Sequence, residues 1–133
     1  MTSAFVDTSR IAVGEHGEID PKTVTPDMNV LFVRRRMDFG TTQRVQSAAV
    51  KLSSGTDNGS EASAQIDVGA WQLALAQCNI VDWSGPAFDG RACNPKNISK
   101  LDPEFAPLKH ALRIIGERNN LQDKSESESD PNA

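Results

Sequence analysis

Few residues in this chain stand at spacings that could do chemistry. Asp38-Phe39-Gly40 copies the metal-binding tripeptide of protein kinases. That tripeptide works only beside a His-Arg-Asp catalytic loop and a Gly-rich phosphate loop, and the 133 residues hold neither. Asp38 or Thr41 is therefore read as a helix cap. Asp57-Asn58-Gly59 suggests a calcium turn, but no bidentate Glu follows at the required offset and no oxygen ligands repeat. Cys78 and Cys93 are too few for a disulfide framework. Cys78 falls in an apolar stripe with no histidine or basic residue next to it in sequence, which points to a buried structural thiol. His110 has no second ligand at helical spacing and His16 stands alone in a loop, so no metal and no cofactor is expected. Asp67, Asp82, Asp89 and Asp102 are all accounted for as caps or turns. With no nucleophile–base pair and no carboxylate pair left over, the expectation is a protein that is not an enzyme.

Arg34, Arg35 and Arg36 form a charged run at the end of a β-forming segment. They suit an anion or an acidic partner, and are the candidate partner-binding residues. The simpler role is to solubilise a sheet edge and discourage edge pairing.

The elements that must position these residues follow from hydropathy and punctuation. Residues 1–28 read as a loose arm with a possible hairpin: Arg10–Gly14 as one strand, Gly14-Glu15-His16-Gly17 as a turn, and Glu18-Ile19-Asp20 as its mate, closed by Pro21. Asn29 to Met37 is the clearest strand, with Leu31, Val33 and Met37 on one face and Val30 and Phe32 on the other. A helix follows to about Leu52, with Val45, Ala48, Ala49 and Leu52 on one side. Ser53–Ser63 (SSGTDNGSEAS) is a polar loop.

Asp67 caps a second, strongly apolar helix carrying Val68, Trp71, Leu75 and Cys78 on one stripe, which closes at Trp83. Its indole N–H is expected to find a backbone acceptor. Ser84-Gly85-Pro86 ends that element, and Asp89-Gly90 reverses the chain. Asn94-Pro95 opens a short helical turn. The last helix carries Phe105, Leu108, Leu112 and Ile115. Together Trp71, Leu75, Cys78, Trp83, Phe105, Leu108, Leu112 and Ile115 are the expected core. The fold class is α+β: short N-terminal strands, three to four helices over a single domain of residues 29–120, and a disordered acidic tail over 121–133.

Composition bounds the function. The chain has a formal net charge of −4, and its C-terminal stretch LQDKSESESDPNA carries four carboxylates against one lysine. The body is thus close to neutral, which argues against a nucleic-acid partner, since that would require a basic face. No apolar run approaches the ~18 residues of a membrane span, and MTSAFVDTSR lacks the pattern of a secretory signal.

Three pieces of the chain, in this order, resemble the tail assembly chaperones of long-tailed bacteriophages, especially those of actinobacterial hosts. The first is a strand with adjacent basic residues running into a helix, Val30 to Arg44 (VLFVRRRMDFGTTQR). The second is an apolar helix ending in Val81-Asp82-Trp83-Ser84. The third is the Asp89-Gly90 turn, the connector Ile98-Ser99-Lys100-Leu101-Asp102 and a last helix. The resemblance covers roughly Asn29 to Asn119. The Ser53–Ser63 loop and the Gly85-Pro86-Ala87 turn depart from the pattern, and residues 1–28 lie outside it.

The resemblance implies a helix-rich α+β domain without enzyme activity. It implies a protein that coats the tape measure protein while the tail tube polymerises, then leaves. It further implies self-association, a longer form made by ribosomal frameshift, and a location in the host cytoplasm and not in the mature virion. A structural virion component, such as a head–tail adaptor or neck subunit, is the alternative.

Overall fold

The structure is a computed structural model that describes residues 3–56 and 67–121, with side chains of the first segment described as far as Leu52. Four strands form one antiparallel sheet in the order β2-β1-β3-β4, where β1 is Arg10–Gly14, β2 Gly17–Ile19, β3 Val30–Arg34 and β4 Ile80–Ser84. The helices are α1 (Phe39–Thr56), α2 (Val68–Asn79), the single turn α3 (Pro95–Ile98) and α4 (Ala106–Arg118). The fold class is α+β, as expected.

Alternation along the central strands explains the layering. Ile11 pairs with Val33 and Val13 with Leu31 across β1 and β3, and none of the four is more than 1% exposed. These side chains share one sheet face. There α4 lies against β1, β2 and β3, and α2 packs on both α1 and α4. Val45 and Ala49 from α1, Leu75 from α2, and Leu108, Ala111 and Ile115 from α4 complete the core. Each large aliphatic side chain so buried stabilises the fold by roughly 1.5–3 kcal/mol. On the other face the Arg10 guanidinium lies 5.4 Å from the centre of the Phe32 ring and 3.5 Å from the Asp82 carboxylate.

Several expectations need correcting. Residues 1–28 are not a loose arm throughout. The hairpin forms and β1 becomes an inner strand, because Ile11-Ala12-Val13 is apolar enough to bury completely between β2 and β3. The main strand is shorter than Asn29–Met37 and stops at Arg34, although Met37 is buried, as its place beside Val33 implied.

The second helix does not run to Trp83. It ends at Asn79, whose side-chain amide donates to the Leu75 carbonyl at 2.9 Å, and the β-branched pair Ile80-Val81 passes straight into β4. Val81 bulges out of register with β3. Asp82 is thus neither a cap nor a turn residue. It sits on the sheet, pairs with Arg10, and accepts the Trp83 backbone N–H at 2.9 Å on an edge strand.

Helix α1 runs four residues past Leu52, into the segment read as loop. The remainder of that loop, with Asp57-Asn58-Gly59, and the acidic tail beyond Leu121 lie outside the described residues.

Asp38 does cap α1, accepting the Thr41 N–H at 2.7 Å. That bond and the Thr41 hydroxyl hold its pKa below the ordinary 3.8, with Arg34 and Arg44 adding in the same direction. A carboxylate depressed in the folded state adds stability above its unfolded pKa and loses it as pH falls through the folded value. The stability advantage of the wild type over Asp38→Ala should therefore be complete near pH ~6, above the ordinary carboxylate range, and shrink as the pH falls through the lowered folded value. Urea unfolding of both proteins across that range measures it.

Candidate functional site

The polar and aromatic residues singled out in the sequence meet at the end of β4. Trp83 stands on that edge strand. The chain then turns at Gly85 (φ 130°) into a single 3-10 turn, Pro86–Phe88, pinned to the start of β3 by the Ala87 N–H donating to Asn29 Oδ1 at 2.9 Å. The turn delivers Phe88 onto Trp83: the rings stack with centroids 4.6 Å apart and planes 9° apart. Phe105 meets Phe88 edge-on at 5.5 Å. Both geometries are favourable for aromatic quadrupoles. The Trp83 indole N–H donates to the Arg91 carbonyl at 2.7 Å, the backbone acceptor that the sequence called for.

The connector from Asp89 to Phe105 forms the far wall. Asp89 (φ 55°) and Gly90 (φ 72°) both adopt left-handed backbone and reverse the chain. Asn94 then caps α3, accepting the Asn97 N–H at 2.8 Å, with Pro95 in the first helical turn as its spacing implied. Gln77 on α2 donates to the Pro95 carbonyl at 3.0 Å, and Ile98 is buried, so α3 is held from both sides.

Between these walls lies an open pocket of about 280 Å³. Trp83, Phe88, Leu101 and Phe105 provide its apolar surface, and Asp89, Arg91, Lys100 and Asp102 stand around it with both signs of charge. Small-molecule sites typically span about 300–1,000 Å³. This one is at the lower limit and suits an apolar side chain offered by a partner.

The expected core residues divide in two. Leu75, Leu108 and Ile115 are buried; Trp71, Cys78, Trp83, Phe105 and Leu112 are only partly so and pack around the rim of the core. The apolar stripe of α2 packs chiefly against α1 and that of α4 chiefly against the sheet, with a smaller contact between the two helices.

The arginine run is split up. Arg34 donates to the Cys78 carbonyl at 3.1 Å, Arg35 lies 3.5 Å from Asp7 near the chain start, and Arg36 is exposed. Cys78 does have basic neighbours in space, Arg34 and Arg44. Burial nonetheless dominates and pushes its thiol pKa up; Cys93 is pushed up by burial and by Asp82. Both are therefore protonated at neutral pH and poor nucleophiles. Among the described residues no group of three or more His, Cys, Asp or Glu side chains is placed to hold a metal ion.

Two contributors were missed from sequence. Phe88 was passed over inside a Gly/Pro turn, although an apolar Ala87-Phe88 pair in a turn is itself a sign of a side chain folded back onto the body. The other is the face of α1 that carries Arg44, Ser47 and Lys51, whose polar residues read as solvent-facing.

Comparison of the chain with models of known protein families, with curated proteins and with solved structures finds no match.

Proposed function

We propose that this chain is a tail assembly chaperone of a long-tailed bacteriophage, which binds the tape measure protein and keeps it soluble while the tail tube forms. One observation carries the reading beyond the resemblance. Trp83 comes from the second resembling piece, and Asp89, Leu101 and Asp102 from the third, and all four line the same open pocket. Residues that matched the pattern at a distance in sequence thus share one surface feature. A pocket with apolar walls and a charged rim is suited to an apolar side chain on an amphipathic helix, the form in which a tape measure would present itself.

A tape measure exposes long apolar stripes before the tube encloses it, and such stripes aggregate in water. A single pocket of this size contributes a modest contact. Reversible coating then comes from many copies along one helix, each easily released.

The chaperone reading differs from the adaptor reading in where the protein ends up. Mass spectrometry on assembling lysates and on purified particles separates them. The chain is expected in complexes with the tape measure protein and not in finished particles. A fixed number of copies per finished particle would replace the chaperone reading with the adaptor.

A further inference from the structure

A second surface feature lies between α1 and α2. Gln43, Arg44, Ser47 and Lys51 of α1 and Cys78 of α2 border a shallow groove of about 400 Å³ floored by Ala48. Its charge is positive. Arg34 reaches the same place, since it bonds the Cys78 carbonyl. Among the described residues neither Arg34, Arg44 nor Lys51 has a carboxylate within ion-pair distance; Arg44 is engaged with the Thr41 hydroxyl at 3.0 Å. Asp38 interacts electrostatically with both arginines, and its carboxylate is occupied in capping α1.

We propose that the acidic segment 122–133 of the same chain docks in this groove. Charge complementarity is the first reason: QDKSESESDPNA carries Asp123, Glu126, Glu128 and Asp130 against Lys124. The point of departure is the second. Asn119, at the end of α4, accepts the Met37 backbone N–H at 3.0 Å, so the segment leaves the body beside the Arg34–Arg36 run and the start of α1. Reach is the third. The groove lies within about 20 Å of that point along α1, at ~1.5 Å per helical residue, and twelve residues extend to about 40 Å. Tethering holds the carboxylates at high effective concentration, so individually weak surface pairs suffice. The docked segment covers the groove at low ionic strength and leaves it when salt screens the pairs. This does not depend on the identity of the external partner.

The thiol of Cys78 reports on the cover. In a Cys93→Ala background, alkylation of Cys78 by N-ethylmaleimide is followed in the full chain. It is compared with a full chain carrying Asp123→Asn, Glu126→Gln, Glu128→Gln and Asp130→Asn. Neutralisation is expected to speed the reaction about fivefold, as for a groove covered about four-fifths of the time. The difference should disappear at about 0.5 M salt, where the Debye length is roughly 4 Å, and should not change on dilution. Equal rates overturn the proposal. So does a dilution-dependent difference, which would make a second copy the occupant. So does an acceleration seen only on neutralising Asp57 and Glu61, which would give the groove to the residues that follow α1 in sequence.

Discussion

Gly85→Ala is expected to be the most damaging small substitution in the body of the protein. Gly85 has φ 130°, a backbone state that residues with a Cβ scarcely adopt. An added Cβ would collide with the Met28 carbonyl oxygen and stand 2.5 Å from Asn29 Oδ1 and 2.7 Å from Asn29 Cα. Two of these three atoms are backbone, and Asn29 Oδ1 is held by the Ala87 N–H, so none yields easily. Strain plus forced separation of β4 from the start of β3 should cost about 3 kcal/mol or more. For a domain of this size that is a fall in Tm of roughly 10–20 °C. Gly90→Ala is the control: its φ is also positive, at 72°, but nothing lies within 4 Å of the new Cβ. It should cost about 1 kcal/mol. Thermal unfolding followed by circular dichroism compares them, and similar losses for both would mean that the close approach at Gly85 is not there.

Trp83→Ala is the second large effect. The indole stacks on Phe88, borders the core and donates to the Arg91 carbonyl. Its removal opens a void against β4 and orphans that carbonyl. The substitution should cost about 3 kcal/mol, the lower end of the range for buried aromatic residues, because Trp83 is only partly covered. Trp83→Phe keeps the ring and loses the N–H, and should cost about 1 kcal/mol. A double-mutant cycle with Phe88→Ala should give a coupling of about 0.5–1.5 kcal/mol. An alanine variant as stable as the wild type, with no coupling to Phe88, would place the two rings apart in solution.

What was legible in the sequence is local chemistry. Asp38, Asp67 and Asn94 cap helices, each accepting a backbone N–H in the first turn, because these side chains reach that donor without help from the rest of the fold. The β1–β2 hairpin was legible from the apolar run ending at Gly14 and from Gly17. What escaped was set by partners far away in the chain. Leu73 to Val81 is apolar enough to continue a helix. It becomes helix and then strand because β3 offers Ile80–Ser84 an edge to pair with, and only the β-branched Ile80-Val81 hinted at the switch. The burial of Ile11, Ala12 and Val13 likewise depends on β3, some twenty residues on. The pocket was half legible. Trp83, Asp89, Asp102 and Phe105 were noted as turns, caps or stripe members and Phe88 was not, and their meeting at one place depends on β4 and on the backbone at Gly85.

The central claim is that this protein keeps a tape measure protein in solution through the pocket beside Trp83. Its most direct test is the soluble fraction of a long-tailed phage's tape measure protein co-expressed with this chain. It is measured alone, with the wild type, and with Ala87→Glu, which places a charge on the exposed wall of the pocket without touching the core. The account predicts an insoluble tape measure alone and a soluble one with the wild type, co-purifying with several copies of this chain. Solubility should be largely lost with an Ala87→Glu variant whose own Tm is unchanged. A tape measure protein that stays insoluble with the wild type would contradict the assigned function, and one kept equally soluble by Ala87→Glu would contradict the assigned surface.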